Sequence, residues 1–178
     1  MGENKKTIHI FQKDLEKFCI DSMLAAGMEK ESAKLTAEVL ATTDSWGIYS
    51  HGTRQLRNYI KKINAGGINP KANPNIISEG LSWALIDGNC AMAMVSSCIA
   101  MEIAIKKARN TGFGYTGVKN STHFGAAGYY ANMAVKDNMI GLAMSNVDAN
   151  MVIPGSRSAV IGNNPFAYAA PAGEEYPV

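Results

Sequence analysis

The stretch NTGFGYTGVKNSTHFG, Asn110 to Gly125, supports two different architectures on first reading. Gly112, Gly114 and Gly117 spell G-x-G-x-x-G, a pattern that in a dinucleotide-binding βαβ unit follows a strand and opens a helix. Here the order is reversed. The apolar run CAMAMVSSCIAMEIAIKKARN before Gly112 reads as a buried helix, and the residues around Gly117 read as a strand leading to Val118. Gly112 is then a helix C-cap, where a left-handed backbone favours glycine. No acidic residue stands at the ribose-binding distance; the matching region holds Asp137, at the predicted end of a helix. The alternative, the aromatic strand of an RNA-recognition module, fails on two positions. Thr111 stands where that module needs a basic residue, and Val118 where it needs an aromatic one. Phe113 and Tyr115 are therefore expected in the core of a sheet.

The flanking segments give the fold class. FQKDLEKFCIDSMLAAGM carries Leu15, Phe18, Cys19 and Met23 at helical spacing, with Gly27 placed to cap it. KESAKLTAEVLATTDSWG aligns Ala33, Ala37 and Leu40 on one stripe. SHGTRQLRNYIKKINAGG predicts a third helix, with Ser50 as N-cap, Lys61 and Lys62 complementing the dipole of its last turn, and Gly66 or Gly67 ending it. The segment INPKANPN marks a boundary near Asn69–Asn75. Beyond it SWALIDG, FGYTGVKN, MIGLAMSN, SAVIGNN and PFAYAAP read as strands, and FGAAGYYANMAVKDN as a helix of small residues. The expectation is an α/β chain, with α+β as the alternative: a helical segment over residues 1–74 and a partial mixed-sheet domain over 75–178.

Bulk composition narrows the function classes. Of the 178 residues 47% are hydrophobic and 18% charged, which fits a folded core rather than a disordered chain. Lysine plus arginine number 17 against 15 acids, a net charge of +2, too small for a dedicated nucleic-acid binder. Cys19, Cys90 and Cys98 are odd in number and form no C-x-x-C pair, so buried free thiols in a reducing cytoplasm are expected. The opening MGENKKTIHIF has neither a signal-peptide run nor the hydroxyl residue of a myristoylation site, since Lys6 occupies that position. No segment is long and apolar enough for a membrane span.

The chemistry is expected at histidines. His51 follows Ser50, and His123 follows Ser121 and Thr122; each is predicted to open a helix. The partial positive charge of a helix N-terminus disfavours imidazolium, so a histidine there stays neutral and accepts protons near pH 7. The same N–H groups can hold a carboxylate. Arg54 and Arg57 fall four and seven residues after Ser50, with Arg54 the better placed to clamp an acid. Tyr59 lies two turns on. The histidines and cysteines do not assemble a zinc set, and no G-x-S-x-G hydrolase elbow occurs.

Three segments in order, DSWGIYSHGTRQLRNYIKKINAGGINP, NSTHFGAAGYYA and IGNNPFAYAAP, resemble signatures of the malate/L-lactate dehydrogenase family, and the resemblance runs from Phe11 onward. It implies a non-Rossmann NAD(P)-binding fold, reversible hydride transfer between a nicotinamide (NAD or NADP) and a small 2-hydroxy/2-oxo acid, and a homodimer at full length. It implies proton-transfer roles at His51 and His123, with Ser50 and Tyr59 beside the substrate. It also implies cofactor contacts near Asn146 and Val147 and at Asn163 and Asn164, and no metal. Two positions depart from the family pattern: Gln55 stands where arginine is common, with Arg54 one place earlier, and Asn163 replaces a threonine. Family chains are about twice as long. The final residues NNPFAYAAPAGEEYPV read as a strand, a turn at Ala172–Glu175 and a second strand begun at Tyr176, so the 178 residues alone are expected to leave a sheet edge open and to be prone to association.

Overall fold

The structure, a computed structural model, describes residues 9–178; the expectations for the first residues, including Lys6, lie outside it. Three N-terminal helices come first: α1 (Gln12–Ala25), α2 (Lys30–Ser45) and α3 (Leu56–Asn64), the last entered through a single 3-10 turn at Thr53–Gln55. Cys19 and Met23 of α1 and Ala33, Ala37 and Leu40 of α2 are fully buried, as the helical spacing requires. Phe18 of α1 instead stays largely exposed. Gly27 and Gly66 take left-handed backbones after α1 and α3.

A three-stranded sheet follows, formed by β1 (Asn75–Glu79), β2 (Trp83–Asp87) and β3 (Tyr115–Lys119) in the order β1-β2-β3. β1 and β2 are antiparallel with a bulge between Ile76 and Ser78, whereas β2 and β3 are parallel and joined across α4 (Ala93–Thr111). A parallel pair needs such a crossover, and α4 packs on both strands it connects. Beyond α5 (Ala127–Val135), β4 (Gly141–Met144) and β5 (Phe166–Ala169) form a separate antiparallel pair.

The three glycines of the opening stretch now have separate explanations. Gly112 is the left-handed C-cap of α4, at φ 79°. A Cβ on Gly114 would lie 1.9 Å from the carbonyl oxygen of Ala104, so glycine lets β3 return tightly against α4. Gly117 sits inside β3, where an added Cβ would meet nothing closer than the Leu85 side chain at 3.4 Å. A helix precedes the pattern and a strand contains its end, the opposite of a phosphate-binding turn.

One buried cluster unites the helices: Met23, Leu40, Tyr59, Met94, Cys98 and Tyr130 come from α1 to α5. It draws on residues from both sides of position 74. Some expectations require correction. Phe113 and Tyr115 are exposed rather than in the sheet core. Cys90 is exposed, in a left-handed turn before α4, while Cys19 and Cys98 are buried; all three are free thiols. SAVIGNN contributes only an isolated bridge between Met151 and Ile161. Tyr176 begins no strand; Ala170 and Val178 exchange backbone hydrogen bonds around the turn closed by Glu175 N–H on Ala172. Among the described residues no helix is long and apolar enough to cross a membrane.

Candidate active site

The SHGT loop between α2 and α3 is shaped by Asp44. Its carboxylate accepts hydrogen bonds from the backbone N–H of Thr53, at 3.1 Å, and from the Thr53 hydroxyl. Asp44 thus satisfies a free donor at the start of the 3-10 turn, the task of a capping side chain. Gly52 makes that approach possible, since a Cβ there would fall 1.9 Å from Asp44 Oδ1. The predicted N-cap, Ser50, does something else: its Oγ lies 2.9 Å from His51 Nδ1 and bonds to it. Ser50 cannot cap because the helical turn begins only at Thr53. His51 therefore lies in the loop before the turn and does not open a helix.

His123 likewise lies before its helix, in the loop between β3 and α5, which begins at Ala127. This loop leaves the carboxyl end of a strand in a parallel pair, the edge where open α/β sheets place their ligands. Buried Tyr130 donates a hydrogen bond to the carbonyl of Phe124 and pins the loop to α5. Gly125, at φ 77°, packs near the His51 carbonyl, which an added Cβ would meet at 3.6 Å. The two loops are thereby held together, and the rings of His51 and His123 stack with centroids 5.4 Å apart.

Tyr59 completes the constellation. It is buried on α3, and its phenol oxygen is 2.6 Å from His123 Nδ1. Burial holds the phenol protonated well above its ordinary range. His123 is pushed below the ordinary histidine value of 6.5, first by desolvation and then by the His51 and Lys62 charges. It is neutral near pH 7, for reasons of burial and neighbouring charge rather than of a helix dipole. Nδ1 faces both the Tyr59 hydroxyl and, at 3.4 Å, the Gly125 N–H, and Nε2 is the atom without a partner among the described residues.

Tyr59 and His123 line a shallow cleft of about 380 Å³ with Gln55, Asn58, Lys61 and Lys62. Gln55 donates to the Ser50 carbonyl at 2.7 Å and accepts from Asn58 at 2.9 Å, so its amide braces the histidine loop. Arg54 is exposed in the 3-10 turn and is not among the lining residues; Arg57 is exposed as well. Lys61 and Lys62, read from the sequence only as dipole partners, do line the cleft. The signal that was available is spacing: Gln55, Asn58, Tyr59 and Lys62 fall at i, i+3, i+4 and i+7 on one helix face.

The other sequence-assigned group lies in the irregular segment between β4 and β5. Asn164, at φ 44°, accepts the Val147 N–H on its side-chain oxygen at 2.9 Å. Gly162 lets the two arms meet, since a Cβ there would lie 2.1 Å from the Val147 carbonyl. Asn146 and Asn163 flank this crossing, both exposed, with their side-chain amides uncommitted among the described residues. The donor set is neutral and amide-rich, which fits a carboxamide or ribose hydroxyls.

Known proteins resemble this chain in sequence and fold. A family model described as malate/L-lactate dehydrogenase matches residues 10–178. A malate dehydrogenase of Pyrococcus abyssi is 41% identical over 92% of this chain and 45% of its own length. An L-sulfolactate dehydrogenase of Methanocaldococcus jannaschii is 39% identical over 86% of this chain, again 45% of its own length. The solved malate dehydrogenase of Pyrococcus horikoshii superposes with a TM-score of 0.91 at 38% identity, covering 96% of this chain and 49% of that one. The chain spans about half the length of the curated relatives it matches. With sequence and three-dimensional course in agreement, the chain belongs to the malate/L-lactate dehydrogenase family.

Proposed function

We propose that the full-length protein is an NAD- or NADP-dependent oxidoreductase that moves a hydride between the nicotinamide and a small 2-hydroxy/2-oxo acid. The observation that carries this reading is the neutral His123, hydrogen-bonded to buried Tyr59, stacked on His51 and opening on a cleft with cationic walls. In the neutral ring, Nε2 carries the lone pair in the tautomer with Nδ1–H donating to Tyr59; the Gly125 N–H, 3.4 Å from Nδ1, is in that tautomer a close approach and not a hydrogen bond. Nε2 takes the substrate hydroxyl proton during oxidation and returns it to the oxygen during reduction. Tyr59 orients the ring in both states. His51, held by Ser50, stabilises the neutral form of His123 by charge repulsion and forms a second proton-transfer group.

The dinucleotide, when bound, supplies the hydride acceptor or donor. Asn146 and Asn163 would hold its neutral polar groups, with the Val147–Asn164 link fixing the two arms. Free thiols throughout favour a reducing cytoplasm. Homodimerisation at full length is part of the same proposal. A second reading, that this chain is a non-catalytic piece of such an enzyme, is favoured by its covering 45% of its relatives' length.

The test is a panel of 2-oxo acids with NADH and NADPH, run on the 178-residue chain and on the full-length protein. Turnover by the full-length protein is expected. His51→Ala and His123→Ala should each lower kcat by about two decades, the usual scale for losing an acid–base group. Near-normal kcat in both variants would remove the histidines from the mechanism. Turnover by the 178-residue chain would dismiss the second reading.

A further inference from the structure

We propose that Lys61 and Lys62 form an anion-reading pair that makes the cleft select a dianionic 2-hydroxy acid over a monoanionic one. This rests on the reading of the cleft as the substrate site. The carrying observation is charge balance within the lining. Gln55, Asn58, Tyr59, Lys61, Lys62 and His123 include two ammonium groups and no carboxylate. Neither lysine takes part in an ion pair among the described residues, so both ammonium groups remain uncompensated in the cleft wall.

Position supports the pairing. Lys62 is one turn beyond Tyr59 on α3, so it shares the face that carries the phenol to His123. Its charge is felt at the imidazole, where it adds to the depression of the His123 value. Lys61 is one turn beyond Asn58 in the same cleft. The usual alternative, an arginine fork, is not at hand: Gln55 is uncharged and braced between Ser50 and Asn58, and Arg54 is outside the lining. A single carboxylate leaves one ammonium uncompensated; two anionic groups on one substrate match both. An ammonium also acts as a point charge rather than a planar fork, so the second group can be a carboxylate or another anion of similar reach.

The experiment compares L-malate, a dianion, with L-lactate, a monoanion, in the full-length protein. Lys62→Met should raise KM for malate by about tenfold, the scale of one charge-assisted hydrogen bond, with kcat little changed and lactate within about twofold. Lys61→Met should move malate the same way, Lys62→Arg should retain the preference, and Arg54→Met should alter neither acid. Equal losses for both acids, or a malate defect confined to Arg54→Met, would overturn the proposal. If the wild type turns over no acid of the panel with either cofactor, the functional reading fails on its own. The lysine pair is then judged by binding, from the His123 ring resonance titrated with each acid. Saturation by malate at a concentration about tenfold below lactate, lost in Lys62→Met, supports it; equal saturation overturns it. Lys62→Met should also raise the His123 titration midpoint, because it removes a neighbouring charge.

Discussion

The phenol of Tyr59 and the imidazole of His123 share one hydrogen bond of 2.6 Å, and its direction decides which ring nitrogen carries the lone pair. The bond spans 64 positions of sequence, so neither residue alone announces it. His123 titrates below 6.5, and removing a cause of that shift should lift it. Measured by proton resonance, the midpoint should rise in Lys62→Met, because it removes a neighbouring positive charge. A midpoint at or above 6.5 in the wild type would contradict the desolvated, charge-flanked environment. The stability consequence has a defined sign. Between 6.5 and the lower folded value the unfolded chain binds a proton that the folded chain does not. This group therefore costs stability as pH falls through that window, and the cost is absent above it.

Glycine does different work in different elements. Just before β3, Gly114 accommodates the Ala104 carbonyl, and at the start of β4 Gly141 accommodates the Ala131 carbonyl in the same way; an added Cβ would lie 1.9 Å from the oxygen in each case. Both mark a strand returning against the helix before it. Gly114→Ala should destabilise the fold by about 2–3 kcal/mol through backbone displacement, whereas Gly117→Ala should stay within about 1 kcal/mol of neutral. Urea unfolding of the two variants checks this, and equal midpoints would mean that β3 does not return as described. Most elements were legible from periodicity and glycine punctuation. β1 was not: all five of its residues are exposed, so NIISE shows no alternation between a buried and a solvated face, and the preceding NPN reads as linker. The N-cap was misread for a related reason. Ser50 has the right residue type, but the donor it was expected to satisfy is met by Asp44, from the far end of α2.

Across the whole molecule, the site joins three elements that sequence keeps apart: the loop after α2, the face of α3 and the loop after β3. That His51, His123, Ser50 and Tyr59 come together was legible because they lie in ordered signatures. The cleft's lysines were not, because a lysine in the last turn of a helix already has a sufficient local reason to be there. A second whole-molecule feature is the outer face of the β4–β5 pair. Leu142 faces Tyr168 and Met144 faces Phe166 in register, and all four are exposed, whereas Ala169 on the opposite face is buried and both strands pack on α5. The central claim remains that His123 Nε2 is the proton acceptor. It is tested most directly by the pH dependence of kcat/KM for hydroxy-acid oxidation by the full-length protein, wild type against His123→Ala. The account predicts a wild-type rate that falls with unit slope only below 6.5, as His123 protonates, and a variant slower by about two decades from which this acid limb is gone. An acid limb of unchanged position in the variant would show that another group takes the proton.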